Sequence, residues 1–210
     1  MTYAAVIFDL DGTLLDTEAI THAAAVQAFA TCGIDVDPAF LLRLVGVDDM
    51  TGAGRIRAAY PALDLLAFER EWRAASIRGL AGGVALKPEV TTLLGAIALP
   101  RAIATSSTRV QALRKFAACA LPRFAHVVTV DDVARAKPAP DPYLLAASLL
   151  GVDPARCLAF EDSETGAQSA HAAGMTVVQV PDLVPASGLY AHHVALDILT
   201  GARAAGLIAG

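Results

Sequence analysis

Short, mainly apolar runs punctuate this chain, and longer stretches of helical period separate them. The runs are Ala4–Phe8, Arg101–Thr105, His126–Val130, Cys157–Phe160 and Thr176–Val180. Apolar runs this short, without polar alternation, read as strands buried on both faces of a parallel sheet. Most of the intervening segments have helix-forming composition, so the order predicts parallel βαβ units. Turn chemistry marks several boundaries. Asp141-Pro142 predicts an N-cap followed by a proline in the first helical position, and Gly151 closes that helix. Asp153-Pro154 opens another turn. Ser163 predicts the N-cap of a helix that runs to about Ala173 and stops at Gly174.

The interval from Thr17 to Gly83 breaks this rhythm. It carries helical patterns and no convincing strand: Thr17–Cys32, ended by Gly33; a segment opened by Asp37-Pro38; a third near Gly52 and Gly54; and Leu63–Arg78. An all-helical insertion after the first strand is expected, with Ala81-Gly82-Gly83 as the hinge of return. Gly201–Gly210, rich in small residues, is expected to be a frayed tail.

Composition narrows the possibilities. The 210 residues suffice for one large domain, or for a core with a modest insertion. A 55% hydrophobic and 18% charged chain suits long buried parallel strands. The net charge of −5, without a basic block, disfavours nucleic acid and anionic membranes as partners. Cys32, Cys119 and Cys157 are scattered and form no CxxC pair, so neither a zinc site nor a disulfide framework is expected. The chain shows no signal-peptide pattern and no membrane span, and a reducing cytoplasmic location fits its cysteine usage. The oligomeric state stays open, with a monomer as the working expectation.

Four segments could carry chemistry. The first, Asp9-Leu10-Asp11-Gly12-Thr13, follows the first apolar run. Residues i and i+2 of a strand share one side, so the Asp9 and Asp11 carboxylates are expected to converge past the strand tip. In an open α/β sheet that edge forms the ligand crevice. Two such charges repel by roughly 4 kcal/mol at 4 Å and an effective dielectric near 20. A hard divalent cation, Mg²⁺ above all, would offset that repulsion. The second segment, Arg101 to Ser107, ends a strand in Thr105, Ser106 and Ser107 and opens a helix, which offers free N–H groups to an anion. The third places Lys137, one of three lysines, before the stiff Pro138-Ala139-Pro140 turn, where a fixed ammonium could neutralise phosphate. The fourth, Cys157 to Gly166, ends a strand in Glu161 and Asp162 and opens a helix. Each segment taken alone is compatible with simple capping or a solvated turn, and for the second simple capping is the favoured reading.

Together, and in this order, the four segments resemble the motifs of the haloacid dehalogenase phosphohydrolase superfamily over nearly the whole chain. The resemblance implies an α/β fold: a Rossmann-like, doubly wound parallel core of residues 1–16 plus 84–210, with residues 17–83 as an inserted α-helical cap domain. Glu161-Asp162-Ser163 followed by Gly166 is similar to the β-phosphoglucomutase-like branch, which includes sugar-phosphate phosphatases. Residues 161–175 and the first cap helix bear some likeness to 6-phosphogluconate phosphatases.

The resemblance implies roles residue by residue. Asp9 attacks phosphorus and forms an aspartyl-phosphate. Asp9 and Asp162 hold Mg²⁺ through their side chains, and Asp11 holds it through its backbone carbonyl. The Asp11 carboxyl then serves as acid to the leaving alcohol and as base toward water. Thr105, Ser106 and Lys137 hold the phosphate. Glu161 orients the metal surroundings or Lys137, Gly12 allows close backbone approach, and Thr17 and Glu18 lie where cap movement is felt.

The implied function is Mg²⁺-dependent hydrolysis of a small phosphate ester, such as a sugar phosphate or sugar-acid phosphate. One alternative is a hexose-phosphate mutase. It is weakened by Thr21 at the position of the mutase histidine (His22 is one step on) and by Gly46-Val47-Asp48-Asp49 where a mutase carries an arginine. A second alternative is a non-catalytic ligand-binding protein. The cap arginines Arg43, Arg55, Arg57, Arg70, Arg73 and Arg78 read as solvated helix faces, the histidines as structural or exposed, and Trp72 as cap core.

Overall fold

The computed structural model describes residues 3–44, 47 and 49–209. Six parallel strands form one sheet: β1 (Ala5–Phe8), β2 (Arg101–Ala104), β3 (His126–Val128), β4 (Cys157–Glu161), β5 (Thr176–Gln179) and β6 (His193–Val194). Their spatial order is β3-β2-β1-β4-β5-β6. The order reverses at the β1–β4 pair, where Phe8 lies opposite Phe160. A doubly wound sheet opens its ligand crevice at such a reversal.

The period of two along β1 divides the core. Val6 and Phe8 join Ile103, Leu158, Phe160 and Val178 on one face. The Phe8 and Phe160 rings stack there at 5.2 Å. Ala5 and Ile7 join Ala102, Ala104, Ala159 and Val177 on the other. That second face is nearly all small residues, so helices can approach it closely.

Nine helices are assigned among the described residues: α1 (Glu18–Thr31), α2 (Pro38–Leu42), α3 (Asp49–Ala59), α4 (Leu65–Leu80), α5 (Val90–Ala96), α6 (Arg109–Ala118), α7 (Asp141–Leu150), α8 (Glu164–Ala172) and α9 (Ile198–Ala204). The first four follow β1 and build their own core from Ala25, Ala28, Phe29, Phe40, Ile56 and Phe68. Trp72 packs against Phe68 at 5.5 Å, as part of that core. Gly52 and Gly54 lie inside α3 and do not break it. The outgoing and returning chains are hydrogen-bonded to each other: Asp16 N–H donates to the Ala85 carbonyl at 2.9 Å, and Lys87 N–H to that of Leu14 at 3.0 Å.

Three expectations need correction. Gly201–Gly210 is not simply a frayed tail. Gly201 and Ala202 are buried in α9, and a Cβ on Gly201 would collide with the Val178 side chain. The small residues there are a packing device, because they let α9 lie against the sheet. Asp141 lies inside α7, whose N-cap is Pro140, and its carboxylate pairs with Arg135 at 2.7 Å. The third run ends as a strand at Val128, and the chain turns into a 3-10 turn over Val130–Asp132. No helix among the described residues is long and apolar enough to cross a membrane.

Candidate active site

The chemistry-bearing segments meet at the carboxyl edge of the sheet. Asp9 follows β1, and its N–H donates to the Phe160 carbonyl of β4 at 2.9 Å, which ties the two central strand tips together. Glu161 ends β4 and Asp162 follows it. One carboxylate oxygen from each of Asp9, Glu161 and Asp162 lies within 4.8 Å of the others, and all three residues are buried. Lys137 reaches this cluster from the loop before α7, and the peptide bond that follows it, Lys137–Pro138, is cis. Its ammonium donates to Asp9 Oδ1 at 2.7 Å and to Glu161 Oε1 at 2.5 Å.

Glycines make this crowding possible. Gly12 has φ +80°, and a Cβ there would lie 2.5 Å from Asp162 Oδ2. A Cβ on Gly166 would overlap the Glu161 carboxylate. Gly12 therefore makes room for Asp162, beyond the close backbone approach expected of it. The Ser163 cap donates to Glu161 Oε2 at 3.2 Å and accepts from Gly166 N–H at 3.1 Å. Tyr143 of α7, fully buried, donates to Glu161 Oε1 at 2.6 Å, with Lys137 Nζ 5.1 Å from its ring centre. Glu161 is thus engaged by Lys137, Tyr143 and Ser163, which fits an orienting role.

The charges explain the electrostatics. Burial pushes the Asp9 carboxyl up; Lys137 opposes this, Glu161 and Asp11 add to it, and the result is about 8. Burial, with Asp9 and Glu161 beside it, raises Asp162 well above its ordinary value. Burial alone would lower the Lys137 ammonium, but the Asp9 and Glu161 carboxylates outweigh it and hold it charged. Were Asp9, Glu161 and Asp162 all ionised against the one ammonium, two negative charges would be in excess in this buried setting, which is why the Asp9 and Asp162 carboxyls are raised when no cation is bound. That donor set and that charge fit a hard divalent cation.

Asp11 is not part of the Asp9, Glu161 and Asp162 cluster, although its charge still acts on Asp9. Its carboxylate accepts from Thr17 Oγ1 at 2.6 Å, Lys115 Nζ at 2.6 Å and Ser107 Oγ at 2.9 Å. The repulsion between the paired aspartates is relieved by two separate ammonium groups, Lys137 and Lys115, with each carboxylate turned to its own. Burial acts to raise the Asp11 carboxyl, but Lys115 and the two hydroxyls outweigh it and hold it below its ordinary value.

Thr105 is buried at the end of β2, and its Oγ1 accepts from Ser107 N–H at 3.1 Å. Ser106 lies between them, before α6. Glu18 is buried at the start of α1, and burial, with Asp11 and Asp182 nearby, raises its carboxyl to about 7. Glu18, Thr21, His22, Leu41, Trp72 and Leu183 line a cavity of about 30 Å³; none of the six cap arginines does. The residues expected to stand for a mutase arginine, Gly46-Val47-Asp48-Asp49, fall largely outside the described positions. Sequence reasoning gave no role to Lys115, Ser107 or Tyr143. Lys115 lies eight residues beyond Ser107 in an ordinary amphipathic helix, and only its rarity as one of three lysines marks it.

A parallel sheet that gathers acid, hydroxyl and lysine groups at its strand reversal defines a class of hydrolase. The chain belongs to the haloacid dehalogenase-like hydrolases, whose family pattern it matches over residues 3–174. It is 40% identical over 199 residues to protein CbbY of Rhodobacter capsulatus, covering 86% of each chain. It is 36% identical over 181 residues to the fructose-1-phosphate phosphatase YqaB of Escherichia coli K12, covering 85% of this chain and 96% of that one. Among solved structures it is similar to a mutant CbbY from Rhodobacter sphaeroides in complex with xylulose-(1,5)bisphosphate. That likeness has a TM-score of 0.77 and 27% identity, and it covers 93% of this chain and 95% of the other.

Proposed function

We propose that this chain is a Mg²⁺-dependent phosphatase of a small phosphorylated metabolite, a sugar phosphate or sugar-acid phosphate, acting through an aspartyl-phosphate on Asp9. The observation that carries the reading is the buried group of Asp9, Glu161, Asp162 and Lys137 at the strand reversal. The family supports the hydrolase class. The phosphatase name of one relative and the sugar bisphosphate held by another support the substrate class.

In this reading the Asp9 and Asp162 side chains and the Asp11 backbone carbonyl hold Mg²⁺. When bound, the ion screens the repulsion between a carboxylate and a phosphate dianion. Asp9 forms a bond to phosphorus as the bond to the leaving oxygen breaks. Lys137 neutralises charge on Asp9 and the phosphate, while the Thr105 hydroxyl and Ser106 N–H hold phosphate oxygens. Positioning and charge compensation of this kind carry most of phosphoryl-transfer catalysis. The unliganded site holds Asp11 ionised, so the negative charge of the bound phosphate must first favour its protonated form; Asp11 then gives that proton to the leaving alcohol and later takes one from the water that opens the acyl phosphate. Residues 17–83 form the cap over the crevice, and residues 1–16 plus 84–210 form the core. The cavity beside Glu18, His22 and Trp72 is only about 30 Å³, so it holds no more than a water, and the organic part of the substrate would need the crevice to open further.

The test is inorganic phosphate release from p-nitrophenyl phosphate and from a panel of sugar, polyol and sugar-acid phosphates. Turnover that is abolished by EDTA and restored by Mg²⁺ is expected. No release across the panel would leave only a ligand-binding role. Isomeric products that depend on a bisphosphate activator would show a mutase.

A further inference from the structure

The geometry points to Lys115 as a positioning residue that fixes the Asp11 carboxyl and leaves Oδ2 as its proton-handling oxygen, an inference that rests on the acid–base role proposed for Asp11. Three separate parts of the chain grip this one carboxylate. Thr17, where the chain leaves for the helical insertion, donates to Oδ1 at 2.6 Å. Lys115 of α6 donates to the same oxygen at 2.6 Å. Ser107, on the loop after β2, donates to Oδ2 at 2.9 Å. Lys115 Nζ also donates to Ser107 Oγ at 2.7 Å, so it sets the direction of that hydroxyl as well. A carboxylate oxygen has two lone pairs. Oδ1, with two donors, is saturated, whereas Oδ2 has one donor and keeps a lone pair for a proton.

Lys115 reaches the carboxyl from α6, a helix outside the four motifs, and its side chain is only 14% exposed. Its ammonium touches neither Asp9 nor Lys137 in the hydrogen bonds and ion pairs of the described residues. Its influence on chemistry therefore passes through Asp11 and Ser107. Without it, Oδ1 keeps only the Thr17 hydroxyl, Ser107 loses a donor, and the carboxyl is free to rotate. Both proton-transfer steps then slow. The phosphorus–oxygen chemistry at Asp9 does not.

The test uses the full-length enzyme with Mg²⁺ and two monoesters. p-Nitrophenolate leaves without a proton, whereas a sugar alkoxide needs one. In Lys115→Met, the first turnover of p-nitrophenyl phosphate is expected to keep its rate within about 2-fold. Later turnovers slow by about 10- to 100-fold, part of the usual worth of acid–base catalysis. Nitrophenolate then appears as a burst of about one equivalent per enzyme, since loss of the base leaves the acyl phosphate to accumulate. On a sugar phosphate, kcat falls by a similar factor with KM within about 2-fold and without a burst. Lys115→Arg, which keeps charge and donors, restores the rate to within about 3-fold.

Asp11→Asn, run alongside, is expected to give the same burst. If it does not, the acid–base role of Asp11 fails. If Asp11→Asn bursts while Lys115→Met either matches the parent or loses the first turnover equally, the role of Lys115 is overturned. Should Lys115→Met melt below the assay temperature, Lys115→Gln takes its place: a burst supports the role of Lys115, and parental kinetics or an equal loss of the first turnover overturns it.

Discussion

In the proposed mechanism the chemistry turns on Asp9, and its surroundings make two predictions. Replacing it by Asn would remove the proposed nucleophile, so steady-state turnover should fall by at least about 10⁴-fold, as when other nucleophiles are deleted. A measurable loss below about 10-fold would reject Asp9 as nucleophile. The second prediction concerns pH. In the metal-free protein the Asp9 carboxyl sits at about 8, against 3.8 for an ordinary aspartate, with burial as the main cause. Because the folded value is the higher one, the unfolded chain releases this proton first as pH rises above 3.8. The Asp9 contribution therefore makes the metal-free fold less stable between about pH 4 and pH 8. Metal binding needs the ionised form, so Mg²⁺ affinity should rise over the same window. Melting curves with EDTA and with Mg²⁺ at pH 6 and pH 8 check both signs, and the Mg²⁺-induced rise in Tm should be larger at pH 8. Tyr143 offers a subtler case. Tyr143→Phe keeps the ring under Lys137 but leaves Glu161 short of a buried donor, at an expected cost of about 1–3 kcal/mol in denaturant unfolding.

Elements were legible where the chain wrote them in apolar runs. β1, β2, β4 and β5 are continuous hydrophobic stretches because both faces of the sheet are covered, and their tips placed Asp9, Thr105 and Glu161 correctly at one edge. β6 was not legible: it has two residues, His193 and Val194, and owes its existence to pairing with β5. The segment from Gly201 was read as a tail because Gly201, Ala202, Ala204, Ala205 and Gly206 are small, although Leu207 and Ile208 within it pack against the core. In place that smallness is what lets α9 lie on Val178. Gly201→Ala should therefore destabilise the protein by about 1–3 kcal/mol, as overpacking does, with a matching fall in the unfolding midpoint. A neutral result would mean that α9 does not pack on the sheet. The grip of Lys115 on Asp11 escaped for a different reason. Contacts between separate elements leave no spacing pattern in the chain, whereas residues at strand tips do.

At the scale of the whole molecule, the proposed Mg²⁺ site among three buried acids would make metal binding and folding one equilibrium. A cation bound there would stabilise the native state in proportion to the logarithm of its concentration over its dissociation constant. Two hydrogen-bonded linkers join the sheet to the four-helix insertion, and Lys87 bridges them to the loop after β5 through Asp182 at 2.8 Å. The substrate reading rests on the same layout, with phosphate at the strand reversal and the organic group beneath the helices. The central claim is that Asp9 carries the phosphoryl group during turnover. Acid quenching of the Mg²⁺-loaded enzyme with a labelled phosphate monoester, followed by peptide mapping, tests it directly. Label is expected on the peptide containing Asp9, and it should be lost in Asp9→Asn. Continued turnover with label elsewhere, or with none trapped even in the slowed Asp11→Asn enzyme, would contradict it.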